Sequence, residues 1–577
     1  MSSKWYKLAF CAVAAGLSLA SASGADRDSR DSKDTQVSRD RDSKDRAQKP
    51  AATAETQPSP EAFPPDSTTQ GAVTVVGGQS IPYRAVAGIL TVGATDSYDA
   101  SLGLDGRLLP DSGIKPPDKD KPEDAPATAR MFYTAYFRTG GGPGAAPDPT
   151  RPVTFLYNGG PGSSTMWLHM GAFGPKRVVT TDAQHDTAAP YRIVENQYSL
   201  LDASDLVFID APGTGFSRIL GKDKEKAFWG TDQDAHAFDR FIRRFLSKYN
   251  RWNSPKYLFG ESYGTTRSAV VSNLLQNVDL NGVMLLSQIL SFDNTADGPE
   301  ANPGTDLGYI TSLPSFAATA WYHHKIPGQT SGQTTDLPSV LRQAEEYALG
   351  EYASALLLGT DLPEARKRAV ADKLTSFTGI PSDFWMRADL RVSGAQFARE
   401  LQLPEGLTTG RLDSRYQGPP IRPLNSDTDY DPFTNAIGSA YTAAINTYVR
   451  QDLKFGEQMT YKPSAYSDPG FNWELRHRLP FDGSRPDSSV NVMHDLASTM
   501  KRNPKMRVML MGGYFDLGTL YFGSEYEMKH LPIPHALESN ISFHFFPTGH
   551  MVYINEDALR GMHDYAANFI RETQSGR

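Results

Sequence analysis

The chain has almost no cysteine, since its 577 residues include only Cys11. Cys11 lies within an N-terminal segment that is typical of a cleaved secretory signal, so the mature chain is expected to contain no thiol and no disulfide. This excludes both a cysteine nucleophile and a disulfide-stabilised scaffold. With 39% hydrophobic residues, stability is expected to come from a large buried core.

The sequence also lacks a strong excess of either charge. Its 58 basic and 66 acidic residues give a formal net charge of −8, which argues against nucleic acid as a partner. The patterns of phosphate-binding and dinucleotide-binding loops are absent. The adjacent His323 and His324 have no carboxylate or third histidine at ligand spacing. We therefore expect no cofactor and no metal.

The N-terminal apolar run, Leu8 to Leu19, is shorter than the roughly 20 residues that a membrane span needs. Lys4 and Lys7 precede the run, and small residues follow it at 20–22. This pattern predicts a signal peptide over residues 1–22. The mature protein is then secreted or periplasmic and has no membrane anchor. A short buried helix is the alternative interpretation.

Residues 23–70 have the composition of a disordered linker. Asp26 to Arg46 alternates Asp, Arg, Lys and Ser, and a stretch rich in Pro, Ala and Thr follows. Such a segment has too little apolar surface to offset the entropy lost on ordering. Because its charges nearly cancel, we expect a solvated tether rather than a binding arm.

Short apolar runs alternate with helical patterns in two parts of the chain, which predicts parallel βαβ units in one sheet. The core is assigned to residues 71–291 and 502–577, and the helical stretch 292–501 to an insertion that caps one end of the sheet. An independent middle domain is the alternative. Strands are predicted at Val153–Tyr157, Leu206–Ile209, Tyr257–Phe259, Val283–Leu286, Arg507–Met511 and Ile541–Phe546, with helices at Asp232–Tyr249, Ser268–Leu275, Pro363–Leu374 (capped by Asp361) and Asn555–Glu572.

A serine flanked by glycines follows one of these strands. The segment Gly260–Gly264, GESYG, lies between the strand Tyr257–Phe259 and the helix Ser268–Leu275. In this context the glycines allow a tight turn that exposes the serine hydroxyl at the carboxyl edge of the sheet. Ser262 is therefore the candidate nucleophile, although the short pattern alone also arises by chance in glycine-rich chains.

A serine hydroxyl needs a base to accept its proton. His550 follows the last predicted strand, and Asp516 follows the strand Arg507–Met511. Taken singly, a loop histidine or aspartate is more often structural. The chain order Ser262, Asp516, His550, with each residue after a strand, is nevertheless the order of the α/β-hydrolase fold. The sequence therefore predicts this fold and a catalytic triad.

The glycine-rich segment Tyr157–Gly162 follows an early strand. Glycine amides can approach a developing negative charge without a side chain in the way, so this segment is a candidate oxyanion hole. The amide of Tyr263, directly after the nucleophile, would be the second donor. An ordinary glycine turn is the alternative.

Four motifs together resemble the serine carboxypeptidases. They are Asn158–Ser164, Asp210–Ser217, Gly260–Tyr263 and Gly549–Val552, and the resemblance extends from about residue 71 to the C-terminus. It implies an enzyme that removes the C-terminal residue of peptides, usually at acidic pH. It also implies that Asn158 and Glu261 bind the terminal carboxylate of the substrate, and that Gly160 and Tyr263 supply the oxyanion amides.

The chemistry of Glu261 agrees with this role. Two carboxyl groups in contact do not both stay ionised, so Glu261 beside a substrate carboxylate would hold a proton and donate it in a hydrogen bond. A purely structural Glu261 is the alternative. The chain departs from the family at Leu156, where tryptophan is usual, and at Ala172, where glutamate is usual. Its lack of cysteine also favours a bacterial, exported member of the family.

The leading prediction is thus a serine carboxypeptidase that acts through an acyl-enzyme on peptides with a free C-terminus. A serine esterase or acyltransferase is the first alternative, because the same triad and oxyanion hole serve any acyl transfer. A non-catalytic binding protein that retains the fold is the second.

Overall fold

The computed structural model describes residues 65–118, 120–140, 148–328, 336–425, 428–485 and 489–575. The predicted signal peptide and nearly all of the predicted linker lie outside the described residues. The first strand in the described residues begins at Ser67, four residues before the expected start of the core at residue 71.

In the described part of the chain, ten strands form one sheet with the order β1-β2-β3-β7-β4-β9-β10-β13-β14, and β8 pairs with β3. These strands are β1 Ser67–Thr74, β2 Ser80–Gly93, β3 Thr128–Arg138, β4 Val153–Tyr157, β7 Asp205–Ile209, β8 Arg218–Leu220, β9 Lys256–Glu261, β10 Gly282–Leu286, β13 Arg507–Gly513 and β14 Ile541–Phe546. Two small ladders pair β5 Lys176–Val178 with β6 Ile193–Glu195 and β11 Thr408–Thr409 with β12 Gln417–Gly418.

The six strands from β7 to β14 across the sheet are parallel, as the alternating pattern predicts. The β1, β2 and β3 strands form an antiparallel edge. The longest of them, β2, escapes prediction because it is half exposed at its start and contains Pro82, so it lacks the continuous apolar run of a buried strand.

Helices cover both faces of the sheet. Those in the described residues are α1 Asp96–Ala100, α2 Lys224–Phe228, α3 Thr231–Lys248, α4 Tyr263–Leu274, α5 Leu307–Tyr322, α6 Leu337–Tyr347, α7 Ala353–Leu358, α8 Glu364–Thr378, α9 Ser382–Arg387, α10 Gly394–Glu400, α11 Pro432–Gln451, α12 Met493–Arg502, α13 Tyr521–Lys529 and α14 Glu556–Ser575. None of the helices in these ranges combines the length and apolar composition that a bilayer crossing requires.

The side chains of the central strands alternate between two hydrophobic layers. Leu156 and Phe259 point into the layer that includes α11 and α14, whereas Phe155 and Leu258 point into the layer with α3, α4 and α12. This period of two buries every residue of β4 and β9. The mostly parallel sheet between two helical layers is the α/β-hydrolase fold.

Helices α5 to α10 build a third hydrophobic cluster, which is continuous with residues of the core. Phe515, Leu517 and Tyr521, which follow β13, belong to it. The helix α8 begins at Glu364 with Pro363 as its N-cap residue. The prediction of Asp361 as the cap is wrong, because Asp361 ends a separate 3₁₀ turn.

Candidate active site

Ser262 occupies a strained turn between strand β9 and helix α4. Its φ of 61° and ψ of −131° lie in a region that costs roughly 1–3 kcal/mol for a residue other than glycine. The Ser262 amide donates to the Leu286 carbonyl at 2.9 Å, and the Ser262 carbonyl accepts from the Thr265 amide at 2.8 Å. The neighbouring strand and the first turn of α4 therefore hold the serine in this conformation.

The two glycines of the turn are required by close backbone contacts. A Cβ atom at Gly260 would lie 2.2 Å from the Gly264 carbonyl oxygen, and one at Gly264 would lie 2.8 Å from the Tyr157 carbonyl oxygen. Both distances are shorter than a carbon atom tolerates. The turn therefore has the close packing of a nucleophile elbow.

Asp516 and His550 meet at the carboxyl ends of β13 and β14. His550 Nδ1 lies 2.7 Å from Asp516 Oδ2, and both side chains are buried. The other carboxylate oxygen, Oδ1, accepts from the amides of Gly518 at 2.8 Å and Thr519 at 3.0 Å. The aspartate is thus fixed as an acceptor for the imidazole, which sets the tautomer with Nε2 free to act as base.

Thr519 is a member of the site that the sequence analysis does not identify. Its hydroxyl lies 2.6 Å from Asp516 Oδ2 and 3.1 Å from His550 Nδ1. A threonine three residues after an aspartate in a loop is a common local capping arrangement. The spacing of three residues between Asp516 and Thr519 is therefore the sequence signal that could identify Thr519.

The pKa of His550 is raised above its usual value. Burial lowers this pKa, but the charge of Asp516 and the hydrogen bond to it, together with the charge of Glu261, more than offset the burial. The described side chains of Ser262 and His550 are not hydrogen-bonded to each other. The bond between a nucleophile and its base is often long until substrate binds.

The predicted oxyanion segment packs directly on the nucleophile turn. A Cβ atom at Gly159 would lie 2.4 Å from the Tyr263 nitrogen, so the two backbones are in contact. Within the described chain, neither the Gly160 amide nor the Tyr263 amide donates to a protein acceptor. Two unpaired amides beside the nucleophile are the donors that an oxyanion hole needs.

A strap from the insertion, residues 462–474, lies over the oxyanion segment. Ser164 donates its amide to the Pro463 carbonyl at 2.9 Å, and Ala465 donates to the Gly162 carbonyl at 2.8 Å. The Tyr466 hydroxyl lies 3.0 Å from the position of a Cβ atom at Gly160. The strap therefore fixes the loop that carries the Gly160 amide.

Asn158 and Glu261 form one buried cluster with Tyr553. Asn158 Nδ2 donates to Glu261 Oε2 at 2.8 Å, and the Tyr553 hydroxyl lies 2.9 Å from Oε2 and 3.1 Å from Oε1. Asn158 Oδ1 in turn accepts from the Leu168 amide at 3.0 Å. The two residues that the resemblance assigns to substrate binding are thus in contact, next to the nucleophile.

Burial raises the pKa of Glu261 to about 7, although the His550 charge and the hydrogen bonds from Tyr553 and Asn158 act in the opposite direction. A carboxyl group with this pKa changes its protonation near neutral pH. Tyr553 was not identified from sequence. It lies three residues after His550, in a 3₁₀ turn that no periodic pattern indicates.

A buried ion pair between Arg267 and Asp234 contacts the backbone of Asn158 in this cluster. Arg267 Nε lies 2.6 Å from Asp234 Oδ2, and Arg267 NH1 donates to the Asn158 carbonyl at 2.7 Å. The Arg267 guanidinium also lies over the ring of Phe238, 4.3 Å from its centroid. Helices α3 and α4 thereby hold the backbone of Asn158 in place.

Ala172 is buried in a π-helical turn, and its carbonyl accepts from Asn196 Nδ2 at 2.7 Å. The site therefore has no carboxylate at the position where the family usually carries glutamate.

His323 Nε2 lies 2.6 Å from the Ser414 carbonyl oxygen, a structural contact. Over the described ranges, no group of three histidine, cysteine or acidic side chains is arranged to hold a metal.

Residues 123–285 match the serine carboxypeptidase family. This span contains the oxyanion segment, Asp210 and the Ser262 turn, but it ends before Asp516 and His550. The match therefore covers Ser262 and the predicted oxyanion segment, but less than half of the chain.

Two curated fungal proteins share part of this similarity. A pheromone-processing carboxypeptidase of Yarrowia lipolytica is 31% identical over 141 residues, which are 23% of this chain and 21% of that protein. A carboxypeptidase Y homologue of Arthroderma benhamiae is 29% identical over 158 residues, 27% of this chain and 28% of its own length. The chain thus matches only about a quarter of these relatives.

Solved structures match at lower identity. A proline iminopeptidase of Mycobacterium smegmatis covers 78% of this chain and 96% of its own, with 11% identity and a TM-score of 0.34. A soluble variant of a monoglyceride lipase from Saccharomyces cerevisiae covers 77% and 92%, with 10% identity and a TM-score of 0.31. The assignment of the fold rests instead on the strand order and the nucleophile turn described above.

Proposed function

We propose that this chain is a serine carboxypeptidase that releases C-terminal residues from peptides through an acyl-enzyme intermediate. Ser262 attacks the peptide carbonyl while His550 accepts its proton and then delivers it to the leaving amine. Asp516 orients the imidazole and stabilises its charged form. The amides of Gly160 and Tyr263 bind the oxyanion, and the proposal requires no cofactor.

The observation that carries the proposal is the buried Asn158–Glu261–Tyr553 cluster beside the nucleophile. Esterase chemistry has no need for a protonatable carboxyl group at this point. A carboxypeptidase does need one, because the carboxylate that marks the end of a peptide must be recognised close to the bond that is cut. Protonated Glu261 and the Asn158 amide offer hydrogen-bond donors to such a carboxylate.

The family match and the two fungal carboxypeptidases support the same substrate class, peptides with a free C-terminus. The testing experiment compares one peptide in two forms, with a free carboxylate and with a C-terminal amide, and follows the products by mass spectrometry. We expect single residues to be released stepwise from the free form and very slow cleavage of the amide. Equal rates for both forms would favour the esterase or acyltransferase alternative.

Labelling of Ser262 tests whether the chain is an enzyme at all. A fluorophosphonate should modify the wild-type chain and fail to modify Ser262→Ala, which is expected to fold normally because only one oxygen is removed. A wild-type chain that is not labelled and hydrolyses neither esters nor peptides would support the non-catalytic alternative.

We also propose that the chain is exported, as a bacterial member of the family. The proposal rests on the pattern of residues 1–22 and on the absence of cysteine from the remainder of the sequence. N-terminal sequencing of the mature protein is expected to find a start near residue 23. A mature chain that retains residues 1–22 would refute this part.

A further inference from the structure

A short segment of the insertion contacts the loops that carry Asp516 and His550 of the triad. Residues Arg411–Arg415, here called the clamp, run between the loop that carries Asp516 and the loop that carries His550. The Ser414 amide donates to the Phe515 carbonyl at 2.9 Å. On the other side, the His550 amide donates to the Leu412 carbonyl at 2.7 Å. The clamp thus bonds to both loops through its main chain.

Side chains of the clamp add to these bonds. Asp413 Oδ2 accepts from the Gly549 amide at 3.2 Å and from Arg415 NH2 at 2.6 Å. Arg415 NH2 also donates to Thr548 Oγ1 at 3.0 Å. A Cβ atom at Gly549 would lie 2.4 Å from the Cβ of Asp413, so the residue before His550 rests directly on the clamp.

Arg411 places a half-buried positive charge near Asp516. The Leu517 amide donates to the Arg411 carbonyl at 2.9 Å. The Arg411 guanidinium lies 3.2 Å from the position of a Cβ atom at Gly518, whose amide binds Asp516 Oδ1. Arg411 Nε donates to Asp297 Oδ1 at 2.9 Å. The Arg411 guanidinium is thus also paired with the carboxylate of Asp297.

The charged groups around His550 come from several elements. Asp516 and Glu261 favour the charged imidazole, whereas Arg411 disfavours it and so lowers the pKa of His550. Arg411 itself faces Asp297 and Asp431 as well as Asp516. The insertion therefore contributes the positive charge that opposes the two carboxylates of the site.

We propose that Arg411–Arg415 is a positioning element for the triad. In this role Asp413 and Arg415 fix the loop of His550, and Arg411 keeps the imidazole available as a neutral base. The consequence for catalysis rests on the proposed function, but the effect on the histidine does not. This short segment of the insertion then acts on the triad through His550 and Asp516, without touching the substrate.

The first test follows the imidazole of His550 directly. NMR of histidine-labelled full-length chain gives its titration, and His550→Ala assigns the signal. In Arg411→Gln the midpoint should move to higher pH by roughly half a unit or more, because a nearby positive charge disfavours the charged imidazole. Arg411→Lys keeps the charge and should restore the wild-type midpoint.

Two further variants separate this effect from instability. Arg411→Gln combined with Asp297→Asn removes the carboxylate that would otherwise lose its partner, and it should still raise the midpoint. Arg391→Gln is the matched control, because Arg391 pairs with Asp306 through two hydrogen bonds of 2.7 and 2.9 Å in the same insertion. It should leave His550 unchanged. An unmoved midpoint in Arg411→Gln and in the double variant, or an equal shift in Arg391→Gln, would overturn the role of Arg411.

The second test concerns Asp413 and uses ester and peptide substrates. Asp413→Asn should lower kcat for both by a similar factor, of roughly tenfold or more, and leave KM nearly unchanged, because it misplaces the base without touching the substrate. Asp306→Asn is the control. A change confined to KM, or an equal loss of kcat in Asp306→Asn, would refute positioning by Asp413. If the wild-type chain has no activity, the proposed function fails, whereas the titration of His550 still decides the role of Arg411.

Discussion

The protonation of Glu261 predicts how peptide hydrolysis changes with pH. Burial raises the pKa of this carboxyl group to about 7. Below that pH, Glu261 is protonated and, under the proposed function, donates to the terminal carboxylate of a substrate. Above it, two negative charges face each other in a buried site. The donor form falls roughly tenfold between pH 6 and pH 8, because a group that titrates near 7 changes from about 90% to about 10% protonated.

The ratio of two rates isolates this effect from the titration of His550. kcat/KM reports the ionisations of the free enzyme, and the base His550 serves peptide and ester substrates alike. We therefore expect the ratio of kcat/KM for a free-carboxylate peptide to kcat/KM for an ester to fall about tenfold from pH 6 to pH 8. In Glu261→Gln, which donates at every pH, the ratio should be flat.

Glu527 provides a matched control. It is also buried, its pKa is also raised to about 7, and it accepts from the Leu290 and Ser291 amides rather than from the site. Glu527→Gln should therefore keep the wild-type fall in the ratio. A wild-type ratio that does not change with pH, or a parallel fall in Glu261→Gln, would show that Glu261 is structural.

Three other changes have defined outcomes. Asp516→Asn should reduce kcat by about 10⁴-fold and His550→Ala by about 10⁶-fold, and the double variant by no more than His550→Ala alone, because a triad works as a unit; turnover near normal in Asp516→Asn would require a different carboxylate. Tyr553→Phe removes a donor that lowers the pKa of Glu261, so the fall in the peptide-to-ester ratio should move to higher pH, and an unmoved fall would exclude this coupling. Gly264→Ala should lower the free energy of unfolding in urea by roughly 1–3 kcal/mol, because its Cβ meets a backbone oxygen; an unchanged midpoint would contradict the contact.

The elements and residues that the sequence predicts are those whose structure depends mainly on neighbouring residues in the chain. The strands β4 and β14 have the predicted bounds. The strand β4 is a buried apolar run between turn residues. The strand β14 lies at the edge of the sheet and is mostly half-buried, and its β-branched and aromatic residues indicate a strand although Ser542 and His544 interrupt the apolar run. The nucleophile turn is equally local, since glycine, serine and glycine between a strand and a helix have few other uses. Both patterns can be recognised in the sequence without knowledge of the rest of the fold.

Residues that escape prediction act through contacts between distant parts of the chain. Arg411 and Asp413 lie in a stretch with no helical or strand period, and only the fold brings them to Asp516 and His550. Tyr553 reaches Glu261 across 292 positions of sequence. Met131–Phe137 has the composition of a strand and lies in β3, but the antiparallel direction of this edge cannot be predicted, because pairing partners and not composition decide the direction of a strand.

The strap over the oxyanion segment has a consequence for the order in which the protein matures. Synthesis makes Gly160 and Ser262 first, but Pro463 and Ala465, which fix the oxyanion loop, follow about 300 residues after Gly160 and about 200 after Ser262. A nascent or truncated chain that ends before the strap contains Ser262, but it lacks the residues that fix the oxyanion loop and it lacks Asp516 and His550. Under the proposed function, hydrolysis can therefore begin only after the strap and the residues that follow it, including Asp516 and His550, have joined the fold.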